Sequence, residues 1–148
     1  MKYPFNNFSL QIVEEIKSVI DCLDENQLDE ILEVILKHKR IFISGVGRTG
    51  MIMKGFGMRL MHLGFETFVI GETTTPSIKR NDLLIIGSGS GETTSLVSNA
   101  EKAKKSGIKI ILFTIDKTSK IGNVASKILE IKAPSPKIKR GIITHTSF

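Results

Sequence analysis

Asp82-Leu83-Leu84-Ile85-Ile86-Gly87-Ser88-Gly89-Ser90-Gly91-Glu92-Thr93-Thr94 is the stretch from which the fold is read. Its apolar run is continuous rather than alternating, so the strand it predicts is covered on both faces, as in a parallel sheet between helices. The run ends in a loop of glycines and hydroxyls. A helix to about residue 106 follows, closed by Gly107.

The same unit lies upstream. Ile41-Phe42-Ile43 leads into Ser44-Gly45-Val46-Gly47-Arg48-Thr49-Gly50, then a helix to about residue 63, closed by Gly64. Further strands are predicted at residues 65–70, 109–115 and 127–131, with a short helix at 121–125. Strands alternating with helices specify a doubly wound, three-layer α/β/α domain with a five-stranded parallel sheet of order 2-1-3-4-5. Two helices precede it. The first, over residues 10–20, carries an apolar stripe of Leu10, Val13, Ile16, Val19 and Ile20. The second, from residue 25 or 27 to about 38, is expected to bury Leu28, Ile31, Leu32, Ile35 and Leu36. Residues 1–148 therefore read as one domain: helices to 39, an α/β core over 40–132, and a tail over 133–148 broken by Pro134 and Pro136.

No apolar run is long enough to cross a bilayer, and the start lacks the apolar core of a signal peptide. The single cysteine, Cys22, cannot form an internal disulfide, which points to the cytoplasm. The net charge of +6 favours anionic partners. Up to His38, three basic residues face eight acidic ones, a charge of −5, so the remainder carries +11. Only Lys102/Lys104/Lys105 and Lys137/Lys139/Arg140 cluster, neither interleaved with aromatics. With no recognition helix or RNA-binding motif, a phosphorylated small molecule accounts for the charge better than nucleic acid.

Ligands of a doubly wound sheet bind where strands 1 and 3 end, and both small-residue loops follow those strands. Ser88, Ser90, Thr93 and Thr94 surround the start of a helix, whose N–H groups and dipole suit a phosphate. Gly89 and Gly91 allow close approach of the backbone. Helix capping by Ser90 is the plain alternative, but it uses one hydroxyl where the loop offers several. The first loop contains Gly45-x-Gly47-x-x-Gly50, with Glu66 and Glu72 near the spacing of a dinucleotide site's ribose acid. A lone match of this kind is weak evidence, and nicotinamide binding stays as a competitor. A P-loop is excluded, because Met51 stands where Lys is required. Arg59 and His62 share one face of the following helix, suiting them to charge neutralisation and proton transfer, or merely to a helix C-terminus. Met51, Met53, Met58 and Met61 on this helix read as core packing.

Gly45-Val46-Gly47-Arg48-Thr49-Gly50, Met58-Arg59-Leu60-Met61-His62-Leu63-Gly64-Phe65, Gly71-Glu72-Thr73-Thr74-Thr75-Pro76 and the opening stretch, in this order, resemble the sugar isomerase (SIS) domain. The second and third resemble, more narrowly, the 6-phospho-3-hexuloisomerases. The resemblance implies interconversion of hex-3-ulose 6-phosphate and fructose 6-phosphate through an enediolate, in the ribulose monophosphate pathway, without metal or cofactor. It implies a homotetramer with clefts completed by neighbouring subunits. It further implies phosphate binding by Ser44, Gly47, Arg48, Thr49, Ser88, Gly89, Ser90 and Thr93, and catalysis by Arg59 and His62. Thr49 replaces the family's usual serine. The family pattern runs on past Thr146-Ser147-Phe148 into a turn and a helix whose glutamate is the expected base. The sequence ends before that segment, so a chain shortened relative to the family is expected. Its alternative role is a non-catalytic sugar-phosphate sensor.

Overall fold

The computed structural model describes residues 5–133. Two helices, α1 (Phe5–Ile20) and α2 (Glu25–Leu36), lead into β1 (Arg40–Gly45), α3 (Gly47–His62), β2 (Glu66–Val69), β3 (Leu83–Gly87), α4 (Thr94–Lys105), β4 (Lys109–Thr114) and β5 (Lys127–Glu130). All pairings are parallel, and the strand order is β2-β1-β3-β4-β5. The expected three-layer α/β/α architecture is therefore present.

Successive side chains of a strand point to opposite faces, so each apolar run feeds two cores. On one face Ile41, Ile43, Leu83 and Ile85 meet Ile31 and Ile35 of α2 and Met53 and Leu60 of α3. On the other, Phe42, Leu84 and Ile86 meet Leu96, Ala100 and Ala103 of α4. Helices α3 and α4 end as their glycines predict: Gly64 and Gly107 have φ of 95° and 71°.

Four expectations need correction. The segment at 121–125 is a set of turns, with Asn123 N–H donating to Ser119 O and Val124 N–H to Ile121 O. Helix α1 begins at Phe5 rather than at residue 10, and of its stripe Leu10, Val13, Ile16 and Ile20 are exposed, Leu10 to 62%. Helix α2 stops at Leu36 and buries only Ile31 and Ile35; Leu28, Leu32 and Leu36 stay exposed. Of the four α3 methionines only Met53 is core, 4% exposed, whereas Met51 is 76% exposed. The residues of the tail from 134 onward lie outside the described ones.

The core junction that places the site is the crossing of α3 over the end of β1. A methyl added at Gly50 would lie 2.7 Å from Gly45 O and 2.9 Å from its carbonyl carbon. Alanine normally improves a helix interior by about 1 kcal/mol, but this clash is with backbone and cannot be relieved by a rotamer. Gly50→Ala is expected to destabilise the fold by about 1–3 kcal/mol, as overpacking does, read as a lower urea midpoint. An unchanged or raised midpoint would show that the junction is not tight.

Candidate functional site

The carboxyl ends of β1 and β3 lie side by side, with Gly45 registered against Gly87. Both small-residue loops leave from this point. A methyl at Gly87 would sit 3.0 Å from Thr49 Cγ2 and 2.5 Å from Met53 Cγ, so α3 presses its first turn directly on the end of β3. The turn into α3 needs Gly47, whose φ of 59° is the left-handed region that L side chains avoid. Arg48 is exposed beside it, and Thr49 half-buried.

The second loop is fastened by its own hydroxyls and by the end of β4. Ser88 Oγ accepts the Gly91 N–H at 3.1 Å, and Ser90 Oγ accepts the Glu92 N–H at 3.3 Å. Gly89 O accepts from the Ile115 N–H and from the Thr114 hydroxyl, both at 3.1 Å. Gly91 O accepts from the Ile121 N–H at 3.2 Å. The N-cap of α4 is Thr93 rather than Ser90, and its side chain makes no capping bond. The first N–H groups of α4 have no intrahelical acceptor, and the hydroxyls of Ser90 and Thr93 stand beside them.

The eight expected phosphate residues lie on the ends of β1 and β3 and on the two loops that leave them, at two depths. Ser44 and Ser88 are buried, 3% and 4% exposed. Gly47, Arg48, Thr49, Gly89, Ser90 and Thr93 are at or near the surface. Arg59 and His62 are not brought there. They lie in the last turn of α3, exposed, and at 1.5 Å per residue the helix carries His62 about 20 Å from Gly47. The helix after β1 must run back to the sheet's opposite edge, which is why one chain separates them. Of the two acids considered for a ribose, Glu66 begins β2 at that opposite edge and pairs with Lys39 at 2.7 Å, while Glu72 pairs with Lys54 at 2.6 Å. Both acids are thus engaged in surface ion pairs.

One feature of the site has no local signal in the sequence. Glu92 Oε1 accepts the Lys120 main-chain N–H at 2.7 Å, and Glu92 Oε2 meets Lys120 Nζ at 2.9 Å. The clasp ties the second loop to the turn after β4. Hydrogen bonding to the Lys120 ammonium, then to its N–H, holds the Glu92 carboxyl below its ordinary value of 4.5, and Glu92 raises the Lys120 amine above 10.5.

Among the described residues, no group of three or more His, Cys, Asp or Glu side chains is placed to hold a metal ion, and no helix is long and apolar enough to cross a membrane.

Residues 34–147 match the SIS domain model, and the chain belongs to the SIS domain family. Its relatives there include proteins named 3-hexulose-6-phosphate isomerase. That of Bacillus subtilis is 40% identical over 127 residues, which cover 86% of this chain and 68% of the relative. That of Mycobacterium gastri is 38% identical over 128 residues, 86% of this chain and 64% of the relative. The chain therefore spans about two thirds of the length of these curated relatives. A crystal structure from Methanococcus jannaschii, for which a 3-hexulose-6-phosphate isomerase function was inferred, is 43% identical with a TM-score of 0.71. The match covers 76% of this chain and 63% of that one.

The clasp gives a signed pH dependence. A carboxyl held low in the folded state stabilises above its unfolded value and loses that contribution as pH falls through the folded value. Glu92→Gln should therefore lower the melting temperature near neutral pH and match the parent chain well below pH 4.5. Parallel melting curves across that range would remove the clasp from the account of the loop.

Proposed function

We propose that the chain is a sugar-phosphate isomerase that interconverts hex-3-ulose 6-phosphate and fructose 6-phosphate. The observation that carries the reading is the fastened Ser88–Thr93 loop at the start of α4, side by side with the Gly45–Gly50 loop. Relatives named for this reaction support it. The phosphate would rest on the helix N–H groups and on the hydroxyls of Ser90, Thr93 and Thr49, with Arg48 adding charge.

In the reaction, the proton on C2 is removed and C2 and C3 become an enediolate. A proton returns to C3, while hydrogen passes from the C2 oxygen to the C3 oxygen. Arg59 neutralises the developing negative charge and His62 moves protons. Since these two lie about 20 Å from their own chain's cradle, they act on substrate held by a neighbouring copy. The exposed apolar faces of α1 and α2 support an oligomer, and a tetramer provides each cleft with a neighbour. A cytoplasmic setting agrees with the single free Cys22.

The same separation favours a second reading, a sensor that binds the sugar phosphate without turning it over. Incubating the chain with hex-3-ulose 6-phosphate decides between them. Formation of fructose 6-phosphate establishes the enzyme. No turnover, with melting temperature still raised by the ligand, leaves the sensor. In either case Ser90→Ala should weaken phosphate-ester binding by about 1–2 kcal/mol, the range of a charge-assisted hydrogen bond, measured by calorimetry. Unchanged affinity would count against the cradle.

A further inference from the structure

The end of β4 and the turn after it stand behind the Ser88–Thr93 loop, and two hydroxyls there are buried. Thr114 is 0% exposed and Ser119 3%. A hydroxyl taken out of water is costly unless it is bonded, and valine would suit a strand end as well as threonine does. Both hydroxyls are used. Ser119 Oγ accepts the Gly122 N–H at 3.3 Å, and a methyl on Gly91 would strike it. Thr114 Oγ1 accepts the Asp116 N–H at 3.2 Å. Its single proton goes to Gly89 O at 3.1 Å, in preference to Asp116 O at 3.4 Å.

The bond to Gly89 O is made where the ladder between β3 and β4 slips by one residue. Ser88 N–H donates to Phe113 O at 3.0 Å, so regular parallel pairing would give the Ile115 N–H the carbonyl of Ser88. Ile115 donates instead to Gly89 O at 3.1 Å, and Ser88 O takes the Gly91 N–H at 3.2 Å. The Gly89–Ser90 peptide is thus rotated, with its carbonyl fastened to β4 by two donors. A trans peptide points its N–H opposite to its C=O, and no described peptide bond is cis. Strand β3 lies between β4 and β1. The Ser90 N–H is therefore turned to the β1 side, where the Gly45–Gly50 loop lies, and it has no acceptor among the described residues.

We infer that Thr114 is a positioning residue for phosphate binding. By holding the Gly89 carbonyl against β4 it aims the Ser90 N–H at the ester, and it opposes the flipped peptide, whose oxygen would face the anion instead. A flip exchanges a donor for an acceptor at one place, so its effect on an anion is a repulsion and not merely a missing contact. Thr114 itself touches no substrate. The role presupposes the phosphate reading of the loop and adds what sets the loop's polarity.

Calorimetric titration with fructose 6-phosphate, and separately with inorganic phosphate, reads the effect. Thr114→Val keeps the side chain's shape and removes the donor, and it should weaken both ligands about tenfold. Thr114→Ser keeps the hydroxyl and should stay within about threefold of the unmodified chain. Ile31→Val, a core deletion in α2 beneath the opposite face of the sheet, should lower the melting temperature without moving either affinity. In amide NMR spectra the Ser90 proton of the unmodified chain should move downfield on saturation with ligand, and should not do so in Thr114→Val. Equal affinity in Thr114→Val, or equal losses in the valine and serine variants, overturns the positioning role and leaves the cradle standing. So does a Ser90 amide that stays still while the unmodified chain binds, a result that decides the matter even if Thr114→Val fails to fold. Binding of inorganic phosphate without fructose 6-phosphate removes the isomerase reading, and the Thr114 comparison then stands on inorganic phosphate. Binding of neither overturns the cradle and the role of Thr114 with it.

Discussion

Everything at the site depends on how closely β1, β3 and α3 can approach one another. Gly45 and Gly87 are neighbours in the ladder, and α3 crosses them through Gly50, Thr49 and Met53 at distances that leave no room for a methyl group. Three side-chain deletions thus let a helix begin at the very end of two central strands. The open N–H groups and hydroxyls of both loops are thereby brought to one end of the sheet, side by side, which is the arrangement that suits a compact anion with few charges.

The fold that builds this arrangement also denies it two of its expected components. A crossover helix runs antiparallel to its strand, so the residues at its end are delivered to the opposite edge of the sheet. Arg59 and His62 are placed there by topology, whatever their chemistry.

Most of the architecture was legible in the sequence. The continuous run Leu83-Leu84-Ile85-Ile86 and the glycine-terminated helices fix strand 3, its neighbours and their order. The two loops were readable for the same reason, since hydroxyls and glycines at a strand-to-helix turn have a local meaning. What misled was amphipathicity. The stripes of α1 and α2 and the methionines of α3 mark apolar faces, but a stripe does not say that the described chain buries it, and the structure leaves Leu10, Leu36 and Met51 exposed. At 121–125 a short helix was expected, but Ser119 Oγ captures the Gly122 N–H and the chain must reach β5 at Lys127. The Glu92–Lys120 clasp joins residues that only the packing of β3 beside β4 brings together, and nothing local announces it.

The second loop is held by Thr114, Ile115, Ile121 and Lys120 before any ligand arrives. An incoming ester therefore finds its donors already aligned, and little conformational entropy is lost on binding. Rigidity of that kind is indiscriminate: every molecule ending in the same terminal group is gripped alike. On the proposed reading, choice among sugars falls to whatever meets their other end, and not to this loop.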